Sequence, residues 1–499
     1  MNESVRLSET GTLASALTSS SNGYGIPQCV AIHVNAMAVG TSEGVVLVAA
    51  SEYSPEMEVD HSLDTIVALG NDDSKNSGTN GKQAPVTVLC FHKSGQRIMV
   101  GRNNGVLQLW DIQKQMMLKT ISEHQFPIAH IVYLDQRDDT AVTADHSGLV
   151  LLHSFSPSIF NRVSVSTSCL LDGKKLGPIL AISPLRVEDS AVDPMDLVRS
   201  NDGSRTSTAT AIATAAATWC ELLCLCTAKE ALLIRLTPQL SVVHKWHRDA
   251  TTSSEDRSAQ LVRDGALPSI AWRRSFQDAD AINAASGLAA HKPQIAIGWG
   301  RICRLFDVDA ASLSSPSVKR ADVSFLCEWQ LDIDEVAGIL WIEEQLLAAM
   351  NVRGIVYLLD PITRSQLSIL ELPEGVVYHS SFTNSYGNLE CSIQNSYGVR
   401  GGAMYVLTTS MMYRLRLMPW KDALETAVET YGWPRGVSLA LALYAGEPIK
   451  STVSGLPRDL GTLKSTMTSF LSDFILKIVQ QLLGSVHPGD ESRVTELRA

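Results

Sequence analysis

The chain is 499 residues long, with a formal net charge of -11, 45% hydrophobic residues and nine cysteines. That length exceeds one ordinary core, and an acidic balance with no dense basic stripe excludes a surface built to displace counterions from nucleic acid or to coat anionic lipid. No basic start precedes an apolar run and no stretch offers about 18 uninterrupted apolar residues, so neither a secretory signal nor a membrane span is expected and the sequence reads as cytoplasmic or peripheral.

Met1 to about Gly25 is rich in Ser, Thr and Asn and is predicted to be disordered. From Gln28 to Ala50, QCVAIHVNAMAVGTSEGVVLVAA sets apolar strands around a Ser-Glu-Gly turn, and a polar Gly- and Asn-rich connection follows near 70–84. PVTVLCFHKSGQRIMVGRNNGVLQLWDI from Pro85 and PIAHIVYLDQRDDTAVTADHSGLVLLHSF from Pro127 then repeat one pattern: two short apolar runs, a turn rich in Asp, Asn and Gly, and a third run. A period of about 40 residues with three or four strands per unit is the signature of a β-propeller. One four-stranded blade cannot bury both its faces, so blades must stack around an axis to close a core.

Further units are degenerate but countable. GPILAISPL from Gly177 pairs across an insertion at 186–218 with WCELLCLCTAKEALLIRLTP from Trp219. Beyond a polar stretch at 248–266, LPSIAWRR at Leu267 joins KPQIAIGWGRICRLFDVD at Lys292 across another insertion at 275–291. A sixth unit is expected from FLCEWQLDID at Phe325 through GILWIEEQLLAAMNVRGIVYLLD at Gly338, and a seventh from Val376 to about Leu417. The expected architecture is a mostly β, seven-bladed WD40-like propeller over residues 26–418.

The period then changes. From Pro419, Trp420, Leu424, Ala427, Val428 and Tyr431 fall on one helical face. Between Arg458 and Val486, Leu460, Leu463, Met467, Phe470, Leu471, Phe474, Ile475, Ile478, Leu482 and Leu483 form an apolar stripe about seven turns long. Residues 419–486 are therefore read as helical, with a charged tail over 487–499. The stripe needs partners: it docks on the preceding helices or the propeller, or it begins a longer α-solenoid. A membrane-surface role is disfavoured because only Lys464 and Lys477 lie along it, whereas interfacial helices carry a basic face.

Several constellations invite a chemical reading. His124, Asp145, His146 and Ser147 supply the residue types of a nucleophilic triad, but a His before a blade and an Asp in its turn form the usual internal hydrogen-bonding pair of such repeats. Trp110 and Asp111 read as a packing residue and a turn anchor. Gly78 to Lys82 departs from a phosphate loop, with Asn76 where Gly is needed and Gln83 where Ser or Thr would hold magnesium. Asp332, Asp334 and Glu335 lack calcium-loop spacing, and Cys220, Cys224 and Cys226 lack a second cluster for zinc. Asn2 stands in a glycosylation sequon that means little without a secretory signal. No catalytic, cofactor-binding or metal-binding residue is assigned.

The residues also carry a family likeness. Trp110, Asp111, Leu118, Lys119, Ile121, His124, Pro127, Asp145, Ser147 and Gly148, in GVLQLWDIQKQMMLKTISEHQFPIAHIVYL and TADHSGLVLLHSF, resemble the N-terminal propeller of the vacuolar protein sorting-associated protein 8 family. LPSIAWRR at Leu267, YVLTTSMMYRLRLMPWKDAL from Tyr405 and WPRGVSLALALYAG from Trp433 resemble that family's propeller-to-solenoid junction in the same order. The resemblance implies a non-enzymatic subunit of the CORVET tethering complex. Such a subunit recognises an early-endosomal Rab GTPase and holds endosomes together before fusion, peripheral on the membrane through its partners. It also implies a long α-solenoid and a RING-like zinc domain, which this sequence does not reach by Ala499.

Two other function classes share parts of the pattern. One is a generic propeller-solenoid coat or trafficking scaffold without Rab preference. The other is a propeller enzyme with its site in the central channel, which would need convergent carboxylates or metal ligands on inner strands that read as apolar and small.

Overall fold

The computed structural model describes residues 5–9, 24–50, 65–69, 83–134, 137, 139–157, 163–173, 176–185, 187–188, 220–248, 268–273, 275–276, 292–310, 312–332, 336–343, 346–351, 353–376, 394–400, 402–408, 411–447, 453–456 and 460–485. The chain divides into two compact units, residues 8–414 and residues 415–499 with 1–7.

In the larger unit each blade is an antiparallel meander. The first holds β2 (Pro27–His33), β3 (Ala36–Thr41), β4 (Val46–Ala50) and β5 (Thr65–Leu69). The second holds β6 (Val86–Phe91), β7 (Arg97–Arg102), β8 (Leu107–Asp111) and β9 (Met116–Ile121). The third holds β10 (Ile128–Tyr133), β11 (Thr140–Asp145), β12 (Leu149–Pro157) and β13 (Val163–Asp172). The fourth joins β14 (Ala181–Pro184) to β16 (Leu222–Cys226), β17 (Glu230–Arg235) and β18 (Ser241–His247).

The fifth joins β19 (Ser269–Trp272) to β21 (Gln294–Trp299), β22 (Ile302–Val308) and β23 (Val323–Gln330). The sixth holds β24 (Gly338–Glu343), β25 (Leu346–Met350), β26 (Ile355–Asp360) and β27 (Ser365–Glu371). The last holds β28 (Tyr397–Arg400), β29 (Ala403–Leu407) and β30 (Met412–Pro419), with β1 (Val5–Glu9) as its outer strand. First strands neighbour one another in a closed ring, β2 to β6, β10, β14, β19, β24, β28 and back to β2, which establishes seven blades.

Period-2 strands with an apolar residue on both sides suit a sheet buried between two neighbours. Met37, Val39 and Ala49 of the first blade thus pack with Ala403, Leu407 and Met412 of the last, while Val46 and Val48 pack with Val86, Ile98 and Val100 of the second. The turns between second and third strands repeat one solution. Gly105 and Gly148 both take positive φ (81° and 87°), and a Cβ on Gly105 would sit 2.6 Å from the His124 carbonyl oxygen.

Three details differ from the sequence expectation. β23 belongs to the fifth blade, paired with β22, and the sixth begins only at Gly338. The 14-residue loop between β22 and β23 is as long as a gap between blades, which disguised the phase. Second, Val5–Glu9, expected to be disordered, is a strand on the open edge of β30, where VRLSE supplies the alternation a strand requires. Third, β15 (Val187–Glu188) and β20 (Ser275–Phe276), within the stretches expected as insertions, pair in parallel.

In the smaller unit, α1 (Trp420–Tyr431) and α2 (Trp433–Ala445) meet at Gly432, whose φ of 84° turns the chain between them. β31 (Val453–Ser454) pairs in parallel with Met418 and Pro419, and α3 (Leu460–Ser485) follows. Leu424, Ala427, Leu443, Leu463 and Met467 are fully or almost fully buried together. Phe470 and Phe474 stack and meet Trp420 and Trp433 edge-on at centroid distances of 4.7 and 5.5 Å. The first half of the predicted stripe therefore docks on α1 and α2. Beyond it, Ile475, Leu476 and Val479 are exposed. No described helix is long and apolar enough to cross a membrane.

Candidate functional site

Because first strands ring the axis, each turns a backbone edge toward the central channel, and the carbonyls on that edge need partners. A 3-10 turn at Gln394–Ser396, leading into β28, supplies them. Asn395 Nδ2 donates to the carbonyls of Ala129 in β10 (3.1 Å) and Thr87 in β6 (3.4 Å). Gln394 Nε2 donates to the carbonyl of Ile182 in β14 (3.1 Å). The Tyr397 hydroxyl lies 3.4 Å from Ser269 Oγ in β19, which accepts the Ile339 N–H of β24 at 2.8 Å. A Cβ on Gly338 would sit 2.6 Å from the Tyr397 ring, so the small residue makes room for it. One short segment of the last blade thus ties together the inner strands of blades two to six.

Asn395→Ala is expected to cost about 1–3 kcal/mol, because two buried carbonyls lose their donor. Asn395→Asp should cost more, since it turns an acceptor toward them. Urea midpoints of the three proteins measure both, and equal midpoints would show that the turn does not hold the ring.

The triad-like residues form a relay inside the third blade. His124 Nδ1 meets Asp145 Oδ2 at 2.9 Å and His124 Nε2 meets Thr143 Oγ1 at 2.8 Å. Thr143 Oγ1 meets His153 Nε2 at 2.8 Å, and His153 Nδ1 meets Thr167 Oγ1 at 3.0 Å. Asp145 Oδ1 accepts from the Ser147 hydroxyl (2.6 Å) and from the Ser147 and Leu149 N–H groups. The serine thus bonds the acid rather than the base, and His124, Thr143, Asp145 and His153 are buried. This is the hydrogen-bonding geometry of a turn anchor. Burial pushes Asp145 up, but the bonds from His124 and Ser147 outweigh it and hold the carboxyl below the usual carboxylate range. Counting five residues from each turn glycine places His153 at the repeat position of Trp110, a role for His153 that sequence reasoning missed.

Two buried arginines position loops where recognition could occur. Arg235 Nη1 donates to the carbonyls of Leu313, Ser315 and Val318 at 3.0–3.1 Å, and its Nε donates to the Gln239 carbonyl and Ser241 Oγ. The fourth blade thereby holds the 309–322 loop of the fifth. Arg102 reaches the carbonyls of Gly44 and Ala84 and the side chains of Gln83 and Gln108, joining the first two blades. Burial brings its guanidinium down to about 10.

Antiparallel order puts the loops after first and third strands on one face and the rest on the other. The insertions following β14 and β19 leave the same face from adjacent blades, and β15 and β20 join their bases. Loops borne on such a rigid ring are where partner recognition is built.

A family model described as the Vps8 beta-propeller matches residues 3–416. The chain belongs to the Vps8 β-propeller family. The vacuolar protein sorting-associated protein 8 homologs of Mus musculus and Homo sapiens are each 20% identical over 474 residues, 92% of this chain and 28% of theirs. The chain therefore spans 28% of the length of those relatives. The Schizosaccharomyces pombe vacuolar protein sorting-associated protein 8 is 28% identical over 82 residues, 16% of this chain and 6% of that one. Among solved structures, the β-propeller domain of Myceliophteria thermophila Cps50 (Swd1) superimposes with a TM-score of 0.46 at 13% identity, covering 79% of this chain and 97% of that one.

The motif that carried the resemblance to the Vps8 family is structural in this propeller. Trp110 is buried with its Nε1 on Gln108 Oε1 (3.3 Å), and Asp111 Oδ1 accepts the Lys114 N–H (2.9 Å). Cys220, Cys224 and Cys226 are buried, and burial raises the thiols of Cys220, to about 11, and of Cys226. Among the described residues no group of three His, Cys, Asp or Glu side chains could hold a metal ion. Asn2, Gly78 to Lys82, Asp334, Glu335, the Lys477 side chain and residues 487–499 lie outside the described residues.

Proposed function

We propose that this chain is the recognition propeller and first helices of a non-catalytic subunit of a CORVET-like endosomal tethering complex. In this reading it binds an early-endosomal Rab GTPase and sits peripherally on the endosome through its partners. It needs no cofactor, and it serves vesicle fusion and sorting toward the vacuole or lysosome. The observation that carries the reading is the family match across residues 3–416. The use of Gln394, Asn395 and Tyr397 to bond inner-strand groups supports a structural role for this segment and a binding platform over an enzyme. Recruitment would follow nucleotide state, since Rab switch segments are ordered by the γ-phosphate and released on hydrolysis.

The test is a pull-down of the whole chain on immobilised early-endosomal Rab loaded with a GTP analogue or with GDP. Retention by the GTP form alone is expected. Equal retention, or none, would overturn Rab recognition by this region, and recovery of coat components instead of tether subunits from cells would favour a coat scaffold.

A further inference from the structure

Each blade ends in an outer strand with which no further described strand pairs, and natural sheets blunt such edges with charge, proline or brevity. β9, β18 and β23 carry Lys119, Lys245 and Glu328, β27 ends in Glu371, and β1 holds Arg6 and Glu9. β5 is uncharged but has only five residues. β13 is the exception: VSVSTSCLLD runs ten residues, with neither proline nor charge before Asp172. Its pairing with β12 is regular from Val163 to Cys169 and shifts register only beyond, and no other described strand pairs with it. Ser164, Ser166 and Ser168 are exposed, while Val163, Val165 and Thr167 are half-buried.

We propose that the β13 edge pairs with β13 of a second copy of this chain, antiparallel about a twofold axis at Ser166. A second copy fits because an isologous contact must be self-complementary. Centred on the regular stretch, the twofold sets Ser166 opposite Ser166, Ser164 opposite Ser168 and Val165 opposite Thr167, all uncharged pairs that stabilise cross-strand contact. The same pairing on β9, β18 or β23 would bring a charged residue of each copy into the seam. Hydroxyl pairing of this kind already exists on the inner side of the strand, where Ser156 Oγ and Ser164 Oγ lie 2.6 Å apart.

The whole chain, its Ser166→Lys and Ser164→Lys variants, and Gln366→Lys on the exposed edge of β27 as control would be compared by light scattering across a concentration series. The wild type and the control are expected to dimerise alike, with at least a tenfold weaker dimer for the β13 variants and unchanged circular dichroism. In a Cys169→Ser background, Ser166→Cys should form an intermolecular disulfide faster than Ser164→Cys, because only position 166 faces itself across the axis. A wild type that stays monomeric, a dimer indifferent to Ser166→Lys, or equal cross-linking at both positions would overturn the proposal, as would a monomer that captures a strand from a different protein.

Discussion

Arg235→Ala is expected to destabilise the propeller by about 3 kcal/mol or more. The side chain is only 2% exposed; among the described residues no carboxylate pairs with it, and its partners are backbone carbonyls and one hydroxyl. Truncation leaves the carbonyls of Leu313, Ser315 and Val318 without their donor, in a loop whose Leu313 is fully buried in the core shared by blades four and five. Arg235→Lys should recover little, because an ammonium cannot reproduce the planar fork that spans Ser241 on one side and three carbonyls on the other. Urea denaturation gives the cost directly, and proteolysis within 309–322 reports whether the loop is released. A midpoint shift below about 1 kcal/mol, with the loop still protected, would show that packing of Leu313 and Val318 holds this loop without the arginine.

Acidification from pH 7 to 4 is expected to remove several kcal/mol from the folding stability of the chain. Burial lowers His130 to about 4, against the bond from its Nε2 to the Ile179 carbonyl, and burial lowers His153 to about 4 with His124 adding to the effect. An unfolded histidine titrates near 6.5. Between those values the unfolded chain binds more protons than the folded one, so stability falls as pH falls, and each group accounts for roughly 3 kcal/mol over the full window. Asp145, held below its ordinary range, adds to the loss in more acid solution. Glu221 acts in the opposite sense, since burial raises its carboxyl and the folded state there takes up the proton more readily. His130→Gln and His153→Gln should each flatten the stability profile between pH 6.5 and 4 by close to half, whatever their effect at pH 7. Profiles that remain parallel to the wild type would remove these histidines as the cause.

The blades most legible in the sequence are those whose stabilising contacts are local. Gly105 and Gly148 mark their turns because each turn must adopt a positive φ, and the apolar runs around them alternate as strands buried on both faces. Legibility falls with the sequence separation of the partners. Gln394 and Asn395 look like two polar loop residues, and only the ring brings them to carbonyls 212, 266 and 308 residues away. Arg235 ends an apolar strand and reads as its solvated tip, yet its acceptors arrive 78–83 residues later. The fifth blade was split at the wrong point because its outer strand follows a loop as long as those between blades. At His124 the His–Asp pair was legible, but composition could not show that the hydroxyl of Ser147 bonds the carboxylate, which is a matter of turn geometry.

The strand at Val5–Glu9 gives this propeller a clock. Its partner β30 begins at Met412, so during synthesis the first strand leaves the ribosome and waits while some four hundred further residues are made, on the order of half a minute at ordinary elongation rates. Until then at most six blades are complete and the ring is an open arc, with the flank of the first blade that later packs on Ala403, Leu407 and Met412 still bare. The nascent chain is most exposed to chaperones and proteases during that interval, and any extension fused ahead of Met1 must be carried along when the strand finally closes the ring.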